Sequence, residues 1–410
     1  MSTIVYLTPP AHGHVNPTLP VVQELVQRGE RVLCYNTEEF RPQLERTSAT
    51  FRPYPSMAMT APEISRLLQR GSLARMTGLI LRTTEQLVPF LRAAIQRDQP
   101  DLIIFDSIAL WGRIVARQLG LPAVASISHF IMDERHLRPR DMLRLIGQTL
   151  PHRPAIMAAR RRLRRIYGNA YPAGSPLFPL RDQRTIVFTS RELQPDTTLI
   201  DETFRFVGPA IHPQTRPEED FPFDALGTDP IVYVSLGTIH TAQPAFVRTC
   251  FAAFAGVRAQ VVLSLGKHTP ISALGPIPSN FLVRPSVPQL DIVQRAAVFI
   301  THAGMNSIQE GLYYGVPLIL IPQHIEQLFN ARIVAGQGAG ILLDHHLRHT
   351  PLPAQVLRQT LDQVMAERRY RDAAVGLQQI LRATGGYHQA ATEIQAALAD
   401  GAARRSSPIF

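Results

Sequence analysis

The residues with the clearest chemical potential lie between Thr301 and Ser307, where the sequence reads THAGMNS. An apolar run precedes this segment and a helical pattern follows it, which predicts a strand, a turn of small residues and a helix start. The first N–H groups of a helix lack partners and its dipole favours anions, so such a turn can bind a phosphate. His302, Asn306 and Ser307 would add side-chain donors there. Glu310 follows about one helical turn later, within reach of a ribose, so the segment predicts a site for a nucleoside diphosphate.

A second candidate site combines His14 and Asp106, each of which follows a predicted strand. Ligands of open α/β sheets bind at the carboxyl ends of the strands, so both residues are placed for chemistry. His14 would act as a general base, and Asp106 would hold its imidazole in one tautomer. Alternatively, His14 bonds a loop carbonyl and Asp106 caps the next helix, and spacing alone leaves both readings open. His12 also competes for the role of base, although it lies further from the predicted helix start.

Three motif classes are missing from the sequence. No G-x-G-x-x-G follows the first predicted strand, so a nicotinamide or flavin site is unsupported. No G-x-x-x-x-G-K-[ST] phosphate loop and no acidic pair at metal-ligand spacing occur either. We therefore expect no metal and no resident cofactor, with the phosphates neutralised by a helix dipole and by side chains.

Composition limits the classes of protein that this chain can represent. Its 410 residues favour two domains, and 45% hydrophobic with 18% charged residues is typical of a globular protein. The net charge of +10 rests on arginine, because Lys267 is the one lysine. Five arginines crowd residues 160–165 without aromatic neighbours, and no nucleic-acid-binding motif is present. We therefore expect no nucleic acid as partner, and a solvated helix face is favoured over contact with an anionic membrane.

The sequence also predicts a cellular compartment. Cys34 and Cys250 lie far apart in apolar surroundings, which favours reduced, buried thiols. The N-terminus begins with a strand pattern and has no basic segment of a signal peptide. No apolar run approaches the length of a membrane span. We therefore expect a cytoplasmic protein without stable membrane insertion, and the sequence makes no prediction about its oligomeric state.

Strand patterns alternate with helical patterns in both halves, which predicts the α/β class with parallel sheets. We assign residues 1–209 to an N-terminal domain, 210–229 to a linker and 230–386 to a C-terminal domain. Residues 387–410 would form a helix that packs back on the N-terminal domain, followed by a loose tail from residue 402. Asn16-Pro17 would open the first helix, with Asn16 as its cap. The predicted strands are Ile4–Leu7, Val32–Tyr35, Leu102–Phe105, Ala123–Ile127, Thr185–Phe188, Ile231–Thr238, Gln260–Leu265, Phe281–Arg284, Ala297–Ile300, Leu318–Ile321 and Gly340–Leu343.

Taken together, these residues resemble the family 1 UDP-dependent glycosyltransferases, and most nearly the bacterial macrolide glycosyltransferase type. The resemblance covers essentially the whole chain, and its C-terminal signature is specific because many residues match in order and spacing. The matching residues are Pro288-Gln289, Thr301-His302, Gly304, Asn306-Ser307, Glu310, Gly315-Val316-Pro317, Pro322, Glu326-Gln327 and Asn330, with Gly13-His14, Pro17, Asp106 and Val234–Thr238 as the remaining landmarks.

The resemblance implies a GT-B fold, in which two Rossmann-like domains with parallel sheets face a central cleft. The first domain would bind the acceptor and the second the nucleotide sugar. By the same resemblance, His14 would be the catalytic base and Asp106 its partner. The nucleotide-sugar site would comprise Val287 and Gln289 at the uracil and ribose, Thr238, His302, Gly304, Asn306 and Ser307 at the diphosphate, Glu310 at the ribose hydroxyls, and Glu326 and Gln327 at the sugar.

The activity that the resemblance implies is an inverting transfer of a hexose from a UDP-sugar to a hydroxyl of a small apolar aglycone. Phenols, flavonoids, sterol-like molecules and macrolides fit that description, and Gln327 rather than histidine favours glucose. Two alternatives remain open: a non-catalytic sugar-nucleotide-binding regulatory protein, and a GT-B epimerase acting on the nucleotide sugar itself. One residue departs from the family pattern, since Ser286 stands where an aromatic residue usually stacks on the uracil. The loss of that stacking would cost about 1–3 kcal/mol of donor affinity.

Overall fold

The computed structural model describes residues 1–56, 59–69, 73–173, 177–216, 219–237, 244–266 and 269–406. The chain divides into two compact units, Met1–Thr215 with Thr384–Phe410 and Arg216–Ala383. The boundary therefore falls inside the segment 210–229. Each unit holds one sheet whose described strand pairs are all parallel, as the alternating pattern predicted.

The first unit contains a seven-stranded sheet in the order β3-β2-β1-β4-β5-β6-β7. Its central strands are buried on both faces, which explains their continuous apolar sequence. The strands are β1 (Thr3–Leu7), β2 (Arg31–Asn36), β3 (Thr50–Pro53), β4 (Leu102–Asp106), β5 (Ala123–Ile127), β6 (Thr185–Val187) and β7 (Phe204–Phe206).

The described α-helices of this unit that come before β6 lie between its strands in the chain. They are α1 (His12–Val15), α2 (Thr18–Gln27), α3 (Arg41–Glu45), α4 (Ala61–Gln69), α5 (Leu73–Asp98), α6 (Leu110–Leu119), α7 (Pro139–Thr149) and α8 (Arg153–Tyr167). Alternate residues of β1 point to opposite sides: Val5 and Leu7 join the apolar cluster that contains α5 and α6, whereas Ile4 and Tyr6 join the cluster that contains α2. The sheet is therefore covered on both faces.

The second unit contains a six-stranded sheet in the order β10-β9-β8-β11-β12-β13. Its strands are β8 (Ile231–Ser235), β9 (Gln260–Ser264), β10 (Phe281–Arg284), β11 (Ala296–Thr301), β12 (Leu318–Leu320) and β13 (Gly340–Leu342). Its helices are α9 (Pro244–Phe254), α10 (Gln289–Arg295), α11 (Met305–Tyr313), α12 (Ile325–Gly336), α13 (Ala354–Ala366) and α14 (Arg368–Ala383).

The last helix, α15 (Gly386–Ser406), belongs to the first unit. It packs against α2, and Arg28 donates to Thr392 Oγ1 at 3.0 Å and to Gln395 Oε1 at 3.1 Å. The predicted loose tail from residue 402 is wrong for residues 402–406, which remain helical. Gly401 lies so close to Pro122 that an added Cβ would stand 2.6 Å from the proline Cγ. This contact holds the end of α15 against the first unit. Residues 407–410 lie outside the described part of the chain.

The predicted strands are confirmed to within one residue at each end, except that β8 ends at Ser235, whereas the predicted run extended to Thr238, which lies outside the described residues. The structure adds β3 and β7, which the sequence analysis did not predict. Both are short, and each has only one fully buried residue, Phe51 in β3 and Phe204 in β7. Edge strands of this kind lack the apolar run by which the inner strands were recognised.

The predicted start of the first long helix is wrong. Residues His12–Val15 already form a helical turn, and Asn16 ends it with φ −54° and ψ −46°. An N-cap residue needs extended backbone, so Asn16 cannot serve as one. The longer helix begins at Thr18 after Pro17, and the Thr18 hydroxyl donates to the Val15 carbonyl at 2.7 Å.

Candidate active site

The first unit brings His14 and Asp106 together. Strands β1 and β4 are paired neighbours, with Leu7 opposite Phe105, so the residues that follow them share one edge of the sheet. The contact joins His14 Nδ1 and Asp106 Oδ2 at 2.8 Å. Asp106 is buried, whereas the His14 side chain keeps 21% of its surface exposed. This arrangement places the carboxylate behind the ring, on the side away from solvent.

The contact fixes the state of the imidazole. An ionised carboxylate only accepts hydrogen bonds, so the Nδ1 atom of His14 carries the proton and Nε2 is the basic nitrogen. Ser128 Oγ lies 3.2 Å from the same Nδ1. The other Asp106 oxygen, Oδ1, accepts from the Ile108 backbone N–H at 2.9 Å. The helix-cap reading of Asp106 is wrong, because α6 begins at Leu110 with Ala109 as its N-cap residue.

The structure also distinguishes the two neighbouring histidines. The His12 ring packs edge-to-face on Phe40, with 5.0 Å between ring centroids. His14 lies one half-turn further along α1 and is the histidine in contact with the carboxylate. The geometry therefore supports His14 rather than His12 as the candidate base.

Two polar residues that sequence reasoning missed lie at the same edge. Ser128 and His129 follow β5, the neighbour of β4 in the sheet. His129 Nε2 lies 3.2 Å from Ser107 Oγ, and His129 Nδ1 lies 3.0 Å from the Phe130 carbonyl oxygen. Their signal in the sequence was the same as that of Asp106, a polar pair directly after a buried strand.

In the second unit, the turn after β11 holds the His302 ring between two glycines. A Cβ built on Gly237 would lie 2.5 Å from His302 Cε1, and one built on Gly304 would lie 2.4 Å from His302 Nε2. Ala303 adopts the left-handed region with φ +65°, and its N–H bonds Thr301 Oγ1 at 3.3 Å. The glycines therefore leave the space that the imidazole fills. Thr238, which was expected at the diphosphate, lies outside the described residues.

Gly304→Ala is expected to lower the free energy of unfolding by about 1–3 kcal/mol, as overpacking of a filled site does. Gly304 has φ −65°, so the backbone accepts alanine and the clash with His302 causes the loss. Gly376→Ala is the matched control, because no atom outside its own helix lies within 4 Å of its added Cβ. That variant should be neutral or more stable. Denaturant unfolding measures both, and equal stabilities would contradict the close packing at Gly304.

Helix α11 begins directly after this turn in the chain. Gly304 is its N-cap residue, and Asn306 and Ser307 lie in its first turn. Ser307 is buried and Asn306 is half-buried. The positive end of the helix dipole thus coincides with His302 and two polar side chains. This arrangement is suited to a phosphate group.

Glu310 lies in the same helix and forms the centre of a buried polar network. Arg216 Nη2 donates to Glu310 Oε1 at 2.6 Å, and the Gln289 amide donates to Glu310 Oε2. Tyr233 in turn donates to Gln289 Oε1 at 3.0 Å. The structure therefore brings together Gln289 and Glu310, as the resemblance implied, and adds Arg216 and Tyr233, which the sequence analysis missed.

The network controls the charge of Glu310. Burial raises the pKa of its carboxyl, and the Arg216 guanidinium and the Gln289 amide oppose that shift. Removal of the cation in Arg216→Met is expected to raise this pKa further. A protonated carboxyl loses acceptor capacity. As the pH is lowered, the UDP affinity of the variant should therefore begin to fall at a higher pH than that of the wild type.

Calorimetric titration with UDP over a pH series measures that difference. Arg258→Met is the control, because Arg258 is 95% exposed in the same unit and its nearest acidic oxygen, on Asp229, is 3.9 Å away. It should keep the wild-type pH dependence. An unshifted profile for Arg216→Met would show that Glu310 does not titrate in nucleotide binding.

Ser286 and Val287 lie between β10 and α10, beside this network. The Ser286 hydroxyl donates to Glu219 Oε1 at 2.6 Å. Glu219 Oε2 is buried and has no hydrogen-bond partner within the described part of the chain. Val287 is also buried. The position that usually carries an aromatic ring thus presents a hydroxyl bound to a carboxylate.

Helix α12 carries the two residues expected at the sugar. Glu326 and Gln327 occupy its first turn, and Gln327 is buried with its Oε1 accepting from the Gln323 N–H at 2.8 Å. One turn later, Asn330 Nδ2 donates to the Ala303 carbonyl at 3.1 Å. Asn330 therefore fixes α12 to the turn that holds His302.

Two absences among the described residues concern metals and membranes. No group of three or more His, Cys, Asp or Glu side chains there is arranged to hold a metal ion. No described helix combines the length and the apolar character needed to cross a bilayer.

Comparison with known proteins identifies the family and the fold of this chain. The family model described as "UDP-glucoronosyl and UDP-glucosyl transferase" matches residues 205–384. The NDP-glycosyltransferase YjiC of Bacillus licheniformis is 33% identical over 399 residues, which are 95% of this chain and 96% of the relative. The oleandomycin glycosyltransferase of Streptomyces antibioticus is 32% identical over 398 residues, 95% of this chain and 89% of the relative.

Solved glycosyltransferase structures match this chain over nearly its whole length. The glycosyltransferase of kitacinnamycin matches with a TM-score of 0.82 at 30% identity, covering 97% of this chain and 98% of that one. CalG4, the calicheamicin glycosyltransferase, matches with a TM-score of 0.79 at 26% identity over the full length of both chains. The fold is GT-B, with two α/β domains built on parallel sheets. The chain belongs to the family 1 UDP-dependent glycosyltransferases and is of the bacterial macrolide glycosyltransferase type, as the sequence resemblance indicated.

Proposed function

We propose that this glycosyltransferase moves a hexose, with inversion, from a UDP-sugar to a hydroxyl of a small apolar natural product. The contact between His14 Nδ1 and Asp106 Oδ2 is the observation that carries this proposal. It supplies a basic Nε2 nitrogen at the carboxyl edge of the first sheet, where a ligand of an α/β sheet binds. The names of the relatives, among them an oleandomycin glycosyltransferase, support a natural-product acceptor.

In this mechanism His14 Nε2 takes the proton of the acceptor hydroxyl, and the hydroxyl oxygen attacks the anomeric carbon from the face opposite the nucleotide. The bond from that carbon to the diphosphate breaks, and negative charge develops on the departing UDP. His302 and the N-terminus of α11 stabilise that charge. Asp106 stabilises the imidazolium that forms on His14. Helix dipole and side chains neutralise the phosphates without a metal ion.

The sugar and the compartment belong to the same proposal. Gln327, rather than histidine, favours glucose, and Glu326 lies beside it in the first turn of α12. Cys34 and Cys250 are buried free thiols, which fits a reducing cytoplasm. Burial raises the pKa of the Cys34 thiol to about 12, so this cysteine stays protonated and unreactive.

Titration of the protein with UDP, dTDP and GDP tests the donor. We expect saturable binding that prefers UDP, with an affinity reduced by the missing aromatic at Ser286. Preference for another nucleotide would change the donor but keep the mechanism. Failure to bind any of the three nucleotides would contradict the proposed nucleotide site.

Product analysis with UDP-glucose, with and without a phenolic acceptor, tests the reaction. Transfer to the acceptor is the expected result. Conversion of the nucleotide sugar in the absence of an acceptor would instead identify an epimerase, and binding without any turnover a regulatory protein. The contact between His14 and Asp106 argues against the regulatory reading, because a protein that only binds a nucleotide needs no such pair.

A further inference from the structure

Helix α7 carries an apolar stripe on the face that is turned away from the protein. Leu143 is 70% exposed, Ile146 is 50% exposed and Leu150, directly after the helix, is 59% exposed. Their spacing of three and four residues places them on one side. Leu145 on another side of the helix and Met142, one turn before Ile146, are partly buried, and α7 contacts α5. The stripe of Leu143, Ile146 and Leu150 is therefore the most exposed apolar part of the helix.

Helices α7 and α8, which follow one another in the chain, together carry a strong positive charge. Residues 138–166 contain nine arginines and one acidic residue, Asp141, so this segment holds a net charge of +8 out of +10 for the chain. Leu163 is fully buried and anchors α8 on α5. Arg161 and Arg165 lie on the opposite face of the helix, and both are exposed. Arg162 is engaged by Glu85, whereas within the described residues neither Arg161 nor Arg165 forms an ion pair.

Exposure to water alone does not explain why exposed aliphatic side chains and exposed arginines occur in the same segment. A solvated helix face is polar, and contiguous exposed aliphatic side chains mark an interaction surface. Interfacial helices combine large aliphatic residues with arginine or lysine, and each basic residue near an anionic membrane contributes about 1 kcal/mol. The arginines of residues 160–165 by themselves favour a solvated face, and the structure adds the exposed aliphatic stripe.

We propose that α7 and α8 form a peripheral docking surface for an anionic lipid bilayer. Leu143, Ile146 and Leu150 enter the interface between headgroups and acyl chains. Arg161 and Arg165 contact the lipid phosphates. This surface binds the membrane reversibly and does not span it.

The position of the docking surface along the chain relates it to the candidate base. The segment that contains α7 and α8 connects β5 to β6, and it leaves the sheet at the carboxyl end of β5, beside Ser128 and His14. Docking there would bring an acceptor dissolved in the bilayer to the edge of the sheet that holds the candidate base. Only this last step rests on the proposed function, because the docking itself does not depend on catalysis.

Flotation of the full-length protein with lipid vesicles tests the proposal. We expect binding to vesicles of equimolar phosphatidylcholine and phosphatidylglycerol, weak binding to phosphatidylcholine alone, and loss of binding as the NaCl concentration rises. Arg161→Glu with Arg165→Glu should lower the partition coefficient at least about thirtyfold, from about 1 kcal/mol per lost arginine and tenfold per 1.4 kcal/mol. Leu143→Ser with Leu150→Ser should also lower it, and this loss should persist at high salt.

The double variant Arg368→Glu with Arg371→Glu is the charge-matched control. Both arginines are exposed on α14 in the other unit, and this variant should bind vesicles as the wild type does. Absence of binding to the anionic vesicles at low salt would overturn the proposal, as would an equal loss in the control. It would also be overturned if Leu143→Ser with Leu150→Ser lowered turnover of a water-soluble acceptor without lipid, because the stripe would then serve acceptor binding. Circular dichroism of each variant checks that the fold is retained.

Discussion

Replacement of His14 by alanine is expected to lower the rate of glycosyl transfer about 10²–10⁴-fold, the usual contribution of a general base. The physical reason is the contact of 2.8 Å between His14 Nδ1 and Asp106 Oδ2, which keeps Nε2 as the proton acceptor. Affinity for UDP should stay unchanged, because the residues expected at the nucleotide belong to the other unit. Steady-state kinetics with UDP-glucose and an acceptor, together with calorimetric titration of UDP, separate the two effects.

His12→Ala is the matched control for this prediction. Its ring packs on Phe40, whereas His14 is the histidine bonded to Asp106, so removal of the His12 ring should leave most of the turnover. Asp106→Asn provides a second variant, because an amide in that place no longer selects the Nδ1–H tautomer and should reduce the rate strongly. Retained turnover in His14→Ala, or an equal loss in His12→Ala, would end the assignment of His14 as base.

Glu310→Gln is expected to weaken UDP binding about 10- to 150-fold. Hydrogen bonds to a charged group contribute about 1.5–3 kcal/mol, and tenfold in affinity corresponds to 1.4 kcal/mol. The carboxylate accepts from Arg216 and from Gln289, and its remaining lone pairs are suited to ribose hydroxyls. Glutamine keeps the volume of the side chain but removes the charge and half of the acceptor capacity.

Calorimetric titration with UDP measures this change, and thermal unfolding of the variant confirms that the helix is intact. Glu367→Gln serves as the control, because Glu367 is a surface carboxylate of the same unit that pairs with Arg369. It should bind UDP as the wild type does. Unchanged affinity in Glu310→Gln would remove Glu310 from the nucleotide site, whereas turnover lost without a change in affinity would place it in the chemical step.

The candidate nucleotide site was largely predictable because most of its signals are local. The turn THAGMNS, the strand before it and the helix after it lie within a few residues of one another, and the backbone pattern alone places a helix N-terminus there. Arg216 and Glu219 could not be predicted in this way. They lie 94 residues before Glu310 and 67 residues before Ser286, respectively, in a segment that looked like a linker.

The sequence by itself determined the alternation of strands and helices, the two parallel sheets and the candidate residues that follow the strands. These features depend on hydrophobic periodicity and turn chemistry, which act over a few residues. Only the tertiary structure decided that Asp106 engages His14 rather than His12, because that choice depends on the pairing of β1 with β4 across 92 residues. It also decided that Leu143, Ile146 and Leu150 of α7 are exposed, since burial is a property of the neighbours of a helix and not of its own pattern.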